Sequence, residues 1–279
     1  MKIVVICIIF LLLIFTSACN KKDQNISIIE EKELDLQMID AYEAGLFELD
    51  RGDAISAANK FNEAELLFPQ SKWAPRASLM SAYAYYSQNY YENAVYEIKR
   101  YFKTYPNHNR KDYAYYLLAI CYYDQIVDEQ KDLGPIIDAK KNFQHIVKNY
   151  PNSDFALDSE YKLELIEEIL AAKEMYLARY YIDREKWVAA INRYKIVLEN
   201  YGTSIYVEEA IHRLVEIHYK LGLIEESKKY ASLLGYNYQS SEWYEKSYKV
   251  FNKNYKKISK SKKGKNKIST LEKIKSLLK

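Results

Sequence analysis

Residues 45–69, GLFELDRGDAISAANKFNEAELLFP, set out the fold in miniature. Apolar residues three and four apart mark helices, and the second run stops at Phe68-Pro69, because proline disfavours helical backbone at the residue before it. Counting back from Pro69, Ala64, Ala57 and Gly45 are small and Phe61 is aromatic, a spacing that suits two antiparallel helices crossing closely. The same aromatic stop recurs at Tyr105-Pro106 and Tyr150-Pro151, with Tyr201-Gly202 in a fourth equivalent place. Successive spacings are 37, 45 and 51 residues. Ala94 and Ala82 repeat the small positions before Pro106, Phe143 and Ala139 repeat the aromatic and small ones before Pro151, and Tyr194, Ala190 and Ala178 stand before Gly202.

A repeat of helical pairs with small crossing residues and a terminal proline is the tetratricopeptide pattern. The sequence therefore predicts an all-α superhelix of about five helical hairpins. Each pair has an apolar face too large to bury alone, so neighbours stack into one continuous core. The third unit is long because 124–134, acidic and closed by Gly134-Pro135, separates its helices as a loop. Trp187 starts the second helix of the fourth unit. A fifth unit begins near Ile205, turns at Leu221-Gly222 and ends around Asn237. A capping helix over 240–255 is expected to cover it, with Trp243 and Tyr244 facing inwards. Composition agrees: 7 Gly and 5 Pro in 279 residues are too few turn formers for a many-stranded β fold. Tyrosine, at 29 residues, is abundant, and its apolar ring with a polar tip suits half-buried helix faces and peptide grooves.

The amino terminus decides the compartment. Lys2 precedes an unbroken apolar run at 3–15, and Thr16, Ser17 and Ala18 lead into Cys19, the layout of a secretory signal with its cleavage site. Thirteen apolar residues are too few to span a bilayer. Small residues abutting a cysteine resemble a bacterial lipoprotein signal, which assigns residues 1–18 to the signal peptide, Cys19 to lipidation and 19–35 to a tether. Thr16 stands where leucine is usual. Several acyl chains anchor a protein stably without a spanning helix. Asn20, where an Asp signals inner-membrane retention, favours the outer membrane, with the chain facing the periplasm. Cys7 lies in the signal, so Cys121 has no disulfide partner; within an apolar run it reads as a buried structural thiol.

Charge is unevenly placed. Residues 253–279 hold eleven Lys against Glu272, a local +10, and the rest of the chain sums to −7. This separates a mildly acidic repeat domain, 36–255, from a solvated Lys-rich tail, 256–279, for which an anionic-membrane or nucleic-acid role is the sharper alternative. No phosphate-binding Gly loop, paired Cys at zinc spacing or His-Glu-x-x-His occurs. His212 and His218 fall on opposing helix faces, and Glu167-Glu168 and Glu208-Glu209 read as solvated charges. No enzyme, metal, cofactor or nucleic-acid partner is expected.

Five repeats behind a lipobox-like signal resemble the BamD family, tetratricopeptide lipoproteins of the outer-membrane barrel assembly machinery. The words that carry the resemblance are Asp112-Tyr113-Ala114-Tyr115, Tyr150-Pro151-Asn152-Ser153, Tyr180-Tyr181 with Arg184, Trp187-Val188-Ala189-Ala190-Ile191-Asn192-Arg193 and Ser241-Glu242-Trp243-Tyr244, spread over residues 36–255. Departures are Gly202 in a proline place, Thr16 and the basic tail. The resemblance implies that the amino-terminal repeats recognise unfolded outer-membrane proteins. It implies that the carboxy-terminal repeats dock the last POTRA domain of a BamA-like barrel subunit through Arg193 and Arg184, alongside other assembly-machinery lipoproteins. A periplasmic repeat protein of the Tol-Pal and cell-wall kind shares the Tyr-Pro-x-Ser words and is the alternative.

The register itself places a candidate groove on the first helix of each unit. Tyr42, Leu46 and Leu49 come from the first repeat, Arg76, Leu79, Tyr83 and Tyr86 from the second, and Tyr113, Tyr116, Ile120 and Tyr123 from the third. Such a tyrosine-lined cleft with a cation near its mouth complements a strand that ends in an aromatic residue and a free carboxylate.

Overall fold

The computed structural model describes residues 34–126 and 133–252. Among these there are eleven helices and no strand. The signal, Cys19, residues 20–33 of the tether, residues 127–132 of the expected loop and the Lys-rich tail lie outside the described residues, and the last two tether residues, Leu34 and Asp35, open the first helix instead. The helices are α1 (Leu34–Asp50), α2 (Ala54–Leu67), α3 (Ala74–Ser87), α4 (Tyr91–Thr104), α5 (Lys111–Tyr123), α6 (Gly134–Asn149), α7 (Ala156–Asp183), α8 (Trp187–Asn200), α9 (Val207–Lys220), α10 (Ile224–Asn237) and α11 (Glu242–Phe251). Each packs on its neighbours in sequence, and the further pairings, α3 on α5 and α9 on α11, skip a single helix. This nearest-neighbour pattern is that of a solenoid. The all-α tetratricopeptide-type architecture and its five hairpins with a cap follow the sequence reading.

Two recurring backbone devices build the hairpins. Within four of the five repeats the first helix ends in a left-handed residue: Gly52 (φ 79°), Asn89 (φ 63°), Glu185 (φ 55°) and Gly222 (φ 77°). Around each, two reversed amide bonds close the helix, as in Asp53 N–H to Glu48 O with Gly52 N–H to Leu49 O, and Lys186 N–H to Tyr181 O with Glu185 N–H to Ile182 O. This Schellman arrangement satisfies carbonyls that the helix end would otherwise leave unpaired. Between repeats, the second helices are all capped by an aromatic residue: Phe68, Tyr105, Tyr150, Tyr201 and Tyr238. The residue three positions later donates its N–H back to that aromatic carbonyl; it is Ser71, Ser153, Ser204 and Ser241, with His108 in the second connector. Tyr201 and Tyr238 take this conformation without a following proline. Packing of their rings on the core therefore fixes the stop, and proline only assists it.

Packing explains the small positions. A Cβ on Gly45 lies 2.8 Å from the Phe61 ring, so only glycine lets α1 and α2 approach so closely. Gly235 does the same for Tyr244, with 2.8 Å to its Cε2, which seats α11 against α10. Trp243 and Tyr244 pack inwards as expected. Arg100 on α4 clamps three helices: Nε donates to Glu97 (2.7 Å), Nη1 and Nη2 to Glu65 (2.9 and 2.6 Å), and Nη2 to Asn62 and Ser78 (3.1 Å each). Tyr105 Oη donates to the same Glu65 (2.7 Å).

The fourth unit departs from the hairpin pattern. Helix α7 has 28 residues, against 13 to 17 in the other first helices. Ile166 on its first half joins the core of α5 and α6, while Ala171, Met175 and Ala178 on its second half join the core that runs to α11. One continuous element thus ties the two halves. Three of the four paired acids need correction, because Glu167, Glu168 and Glu209 serve the fold rather than standing free in solvent. Glu168 accepts the Ile205 N–H (3.2 Å), Glu167 lies 3.7 Å from Lys140, and Glu209 lies 3.3 Å from Arg213. Cys121 is fully buried, as expected.

Candidate peptide-binding site

Three of the predicted groove residues, Arg76, Leu79 and Tyr113, meet in one cleft. Arg76 on α3 and Tyr113 on α5 line a pocket of about 500 Å³, together with Lys72, Leu79, Met80, His108, Asn109 and Arg110. Three cations, Lys72, Arg76 and Arg110, face this space and no carboxylate lines it among the described residues. Burial and the Arg110 charge push His108 down, so its ring is neutral at neutral pH and donates no further charge. Its Nδ1 is held by Tyr101 Oη at 2.7 Å. Behind the pocket, the Arg76 guanidinium sits 5.2 Å from the Trp73 ring, and Tyr42 packs edge-on to Trp73 (5.8 Å) and Phe61 (5.2 Å). Burial raises the Tyr42 hydroxyl, and the charge and hydrogen bond of Arg76 oppose that rise. The aromatic anchors hold the arginine stem in place and leave its charge at the mouth.

The remaining tyrosines continue from this cleft as a strip. Tyr83 and Tyr86 stand 6.3 Å apart, and Tyr113 and Tyr116 both pack on Phe155, at 5.6 and 4.8 Å. Tyr123 meets Phe143 at 6.1 Å and carries Lys162 Nζ 4.7 Å from its ring centroid. Several hydroxyls are already committed: Tyr86 Oη donates to Asp124 (3.0 Å) and Tyr116 Oη to Asp158 (2.7 Å). These acids add to the rise that burial causes in both phenols, so the tyrosines stay neutral and offer ring surface rather than proton chemistry. Leu46 is 42 % exposed on α1. One further wall position is corrected: Ile120 is 8 % exposed and belongs to the core, because its helix rotates it against α6 neighbours, whereas Leu79, 5 % exposed and packed on α4, still lines the pocket.

Sequence reasoning missed Lys72, Met80, His108, Asn109 and Arg110. Four of these sit in or beside the connectors that follow the aromatic stops, and the available signal was the basic residue shortly after each of the first two, Lys72 and Arg110.

In the carboxy-terminal half, Arg193 on α8 reaches back to Glu174 on α7, with Nη1 3.0 Å from Oε2, and its side chain is 35 % exposed. The Glu174 hydrogen bond raises its already high basicity. Arg184 caps α7, is exposed, and stacks over Tyr180 with Cζ 3.6 Å from the ring centroid. The two arginines flank the α7–α8 turn but differ in freedom: Arg193 is ion-paired within the fold, whereas Arg184 is held by the Tyr180 ring and a long hydrogen bond from Nη1 to the Tyr180 carbonyl (3.4 Å).

Among the described residues no group of three His, Cys, Asp or Glu could hold a metal ion, and no helix is long and apolar enough to cross a membrane. A family model described as outer membrane lipoprotein, YfiO, matches residues 34–234. Curated relatives include the outer membrane protein assembly factor BamD of Caulobacter vibrioides, 37 % identical over 227 residues that span 81 % of this chain and 73 % of that protein. BamD of Rickettsia prowazekii is 38 % identical over 214 residues, spanning 77 % of this chain and 85 % of that one. A solved thermophilic tetratricopeptide-repeat protein of Thermus thermophilus is 15 % identical with a TM-score of 0.35, covering 77 % of this chain and 98 % of that one.

Proposed function

The chain belongs to the YfiO, or BamD, family of outer membrane lipoproteins, and on that premise we propose that it is a non-enzymatic scaffold of outer membrane protein assembly. In this reading Cys19 carries the lipid anchor, residues 36–255 form the working domain, and the two halves divide the labour. The amino-terminal repeats receive the carboxy-terminal strand of an unfolded outer-membrane protein; the carboxy-terminal repeats dock the POTRA domain of a BamA-like subunit through Arg184 and Arg193.

The observation that carries the client reading is the acid-free cationic pocket of Lys72, Arg76 and Arg110, with Tyr113 in its wall and a tyrosine strip beyond it. A terminal carboxylate finds charged donors there, and the aromatic residue beside it finds ring faces. One buried aromatic contributes roughly 1.5–3 kcal/mol, and a charged hydrogen bond roughly 1.5–3 kcal/mol. Association entropy offsets much of that. The sum fits micromolar, reversible holding, which a client handed onwards requires. Titration of a peptide ending in Phe with a free carboxylate is expected to give micromolar binding, weakened at least tenfold by Arg76→Glu or by amidating the peptide's carboxylate. Sub-nanomolar binding, or indifference to both changes, sinks the reading.

Docking is tested by affinity capture from detergent-solubilised envelopes with tagged mature protein, wild type beside Arg193→Glu. Recovery of a POTRA-containing barrel protein with wild type and its loss with the variant is the expected pair. Undiminished recovery keeps the complex and removes Arg193 from its interface, and recovery of Tol-Pal proteins in its place overturns the assembly role.

A further inference from the structure

We propose that the pocket between α7, α8 and α9 is a second binding site of this chain, taking a carboxylate carried on an apolar peptide segment. The pocket has a volume of about 410 Å³, with Arg179, Arg213 and Lys220 in its wall beside Trp187 and Ile217. Asp183 and Glu216 also line it, which leaves one positive charge in excess. Tyr194 is the element that points to an occupant: the side chain is fully buried and lines this pocket, yet its hydroxyl has no hydrogen-bond partner. Buried hydroxyls are nearly always paired, and a phenol in a cationic frame is complemented by an anionic acceptor, not by another donor.

The cations are unequally free. Arg213 is engaged by Glu209 (3.3 Å) and Glu216 (2.8 Å), and Lys220 Nζ lies 4.1 Å from the Trp187 ring centroid. Arg179 is exposed and makes no ion pair among the described residues. Its guanidinium is therefore the one available to a carboxylate, and its charge already acts on Tyr194. The Tyr194 hydroxyl is itself closed to solvent, so an occupant reaches it by displacing the exposed Arg179 side chain, while Arg213 stays engaged by Glu209 and Glu216. The apolar companion residue of the ligand rests on Trp187 and Ile217. This site stands apart from the docking reading, because Arg193 points to Glu174 and is not part of the pocket wall.

The probe is the acetylated, amidated tripeptide Leu-Glu-Leu, titrated into the mature protein while the indole N–H resonances of Trp73, Trp187 and Trp243 are followed. The expected result is a shift confined to Trp187, with binding at least tenfold tighter than that of Leu-Gln-Leu amide. An acetylated Leu-Gln-Leu with a free terminal carboxylate separates the two sources: if it binds as well as the glutamate peptide, a chain terminus can also be seated, and if it does not, the site takes an acidic side chain. Tyr194→Phe removes an unpaired hydroxyl, so it is expected to leave the melting temperature unchanged or raised, while weakening the peptide about tenfold, the loss of one charged hydrogen bond. Arg179→Gln, at an exposed position, gives the same weakening if the phenylalanine chain folds poorly. No shift at Trp187, equal binding of Glu and Gln peptides, or full binding by both variants overturns the site.

Discussion

Glu185 occupies a left-handed position that Gly52 and Gly222 fill in other repeats. A side chain there costs about 1 kcal/mol, since Cβ crowds the following carbonyl. Glu185→Gly is expected to raise stability by up to about 1 kcal/mol in chemical denaturation, and Gly222→Ala to lower it by a similar amount; opposite signs would show that the turns are set by something other than backbone strain. At Cys121, burial pushes the thiol up to about 12, with Asp124 adding to the rise. The thiolate is the reactive form, so a thiol-specific reagent at pH 8 should leave a chain lacking residues 1–19 unmodified until it is denatured. Rapid labelling of the folded chain would mean that α5 opens locally.

At the level of elements, the Arg100 clamp and the α11 cap are the joints to test. Arg100→Leu leaves Glu65 and Glu97 buried without a counter-charge and is expected to cost about 3–5 kcal/mol. A loss below 1 kcal/mol would mean that those carboxylates find water. Ser241 caps α11 by accepting from the N–H groups of Trp243 and Tyr244 (3.1 and 3.2 Å), so Ser241→Ala should cost about 1 kcal/mol. Helix α11 is held to α9 by His212, whose Nδ1 meets Ser247 Oγ at 2.9 Å and whose Nε2 lies 3.3 Å from Glu216. Burial pushes the Glu216 carboxyl up, but hydrogen bonds and charges of His212 and Arg213 outweigh it and hold the group at about 2. A carboxyl depressed by folding stabilises the native state fully above its unfolded value of 4.5 and loses that contribution as pH falls towards about 2. Thermal melts between those limits should fall less steeply for Glu216→Gln than for wild type, and parallel curves would exclude the linkage.

For the whole molecule, α7 decides whether two halves act as one body. Its first half sits in the core of the third repeat and its second half in the core shared by the fourth and fifth. Leu170→Pro, between them, removes a helix hydrogen bond and is expected to cost about 3 kcal/mol or more. It should also split the melt into two transitions; a single cooperative transition would mean that loop packing, not α7, couples the halves. The length of α7 is not legible from the repeat, because the aromatic stop after α8 shows only that the fourth unit is long and cannot say which helix absorbs the excess. The third unit is legible as long, since its extra residues announce themselves as an acidic segment closed by Gly134-Pro135.

By itself the sequence determined the class, the number of repeats, the crossing residues and most stops, because these depend on local periodicity and on the volume of single side chains. Gly45 opposite Phe61 is a property of two positions at fixed helical register. It also placed Arg76 and the tyrosines on the first helices. Only the tertiary structure decided how those residues are used: which hydroxyls are spent on Asp124 and Asp158, that Arg193 is paired with Glu174, that Lys72 and Arg110 converge on Arg76, and that Tyr194 is left unpaired. Charge, unlike helical period, acts between residues that stacking brings together from distant parts of the chain, and no one-dimensional pattern records those distances.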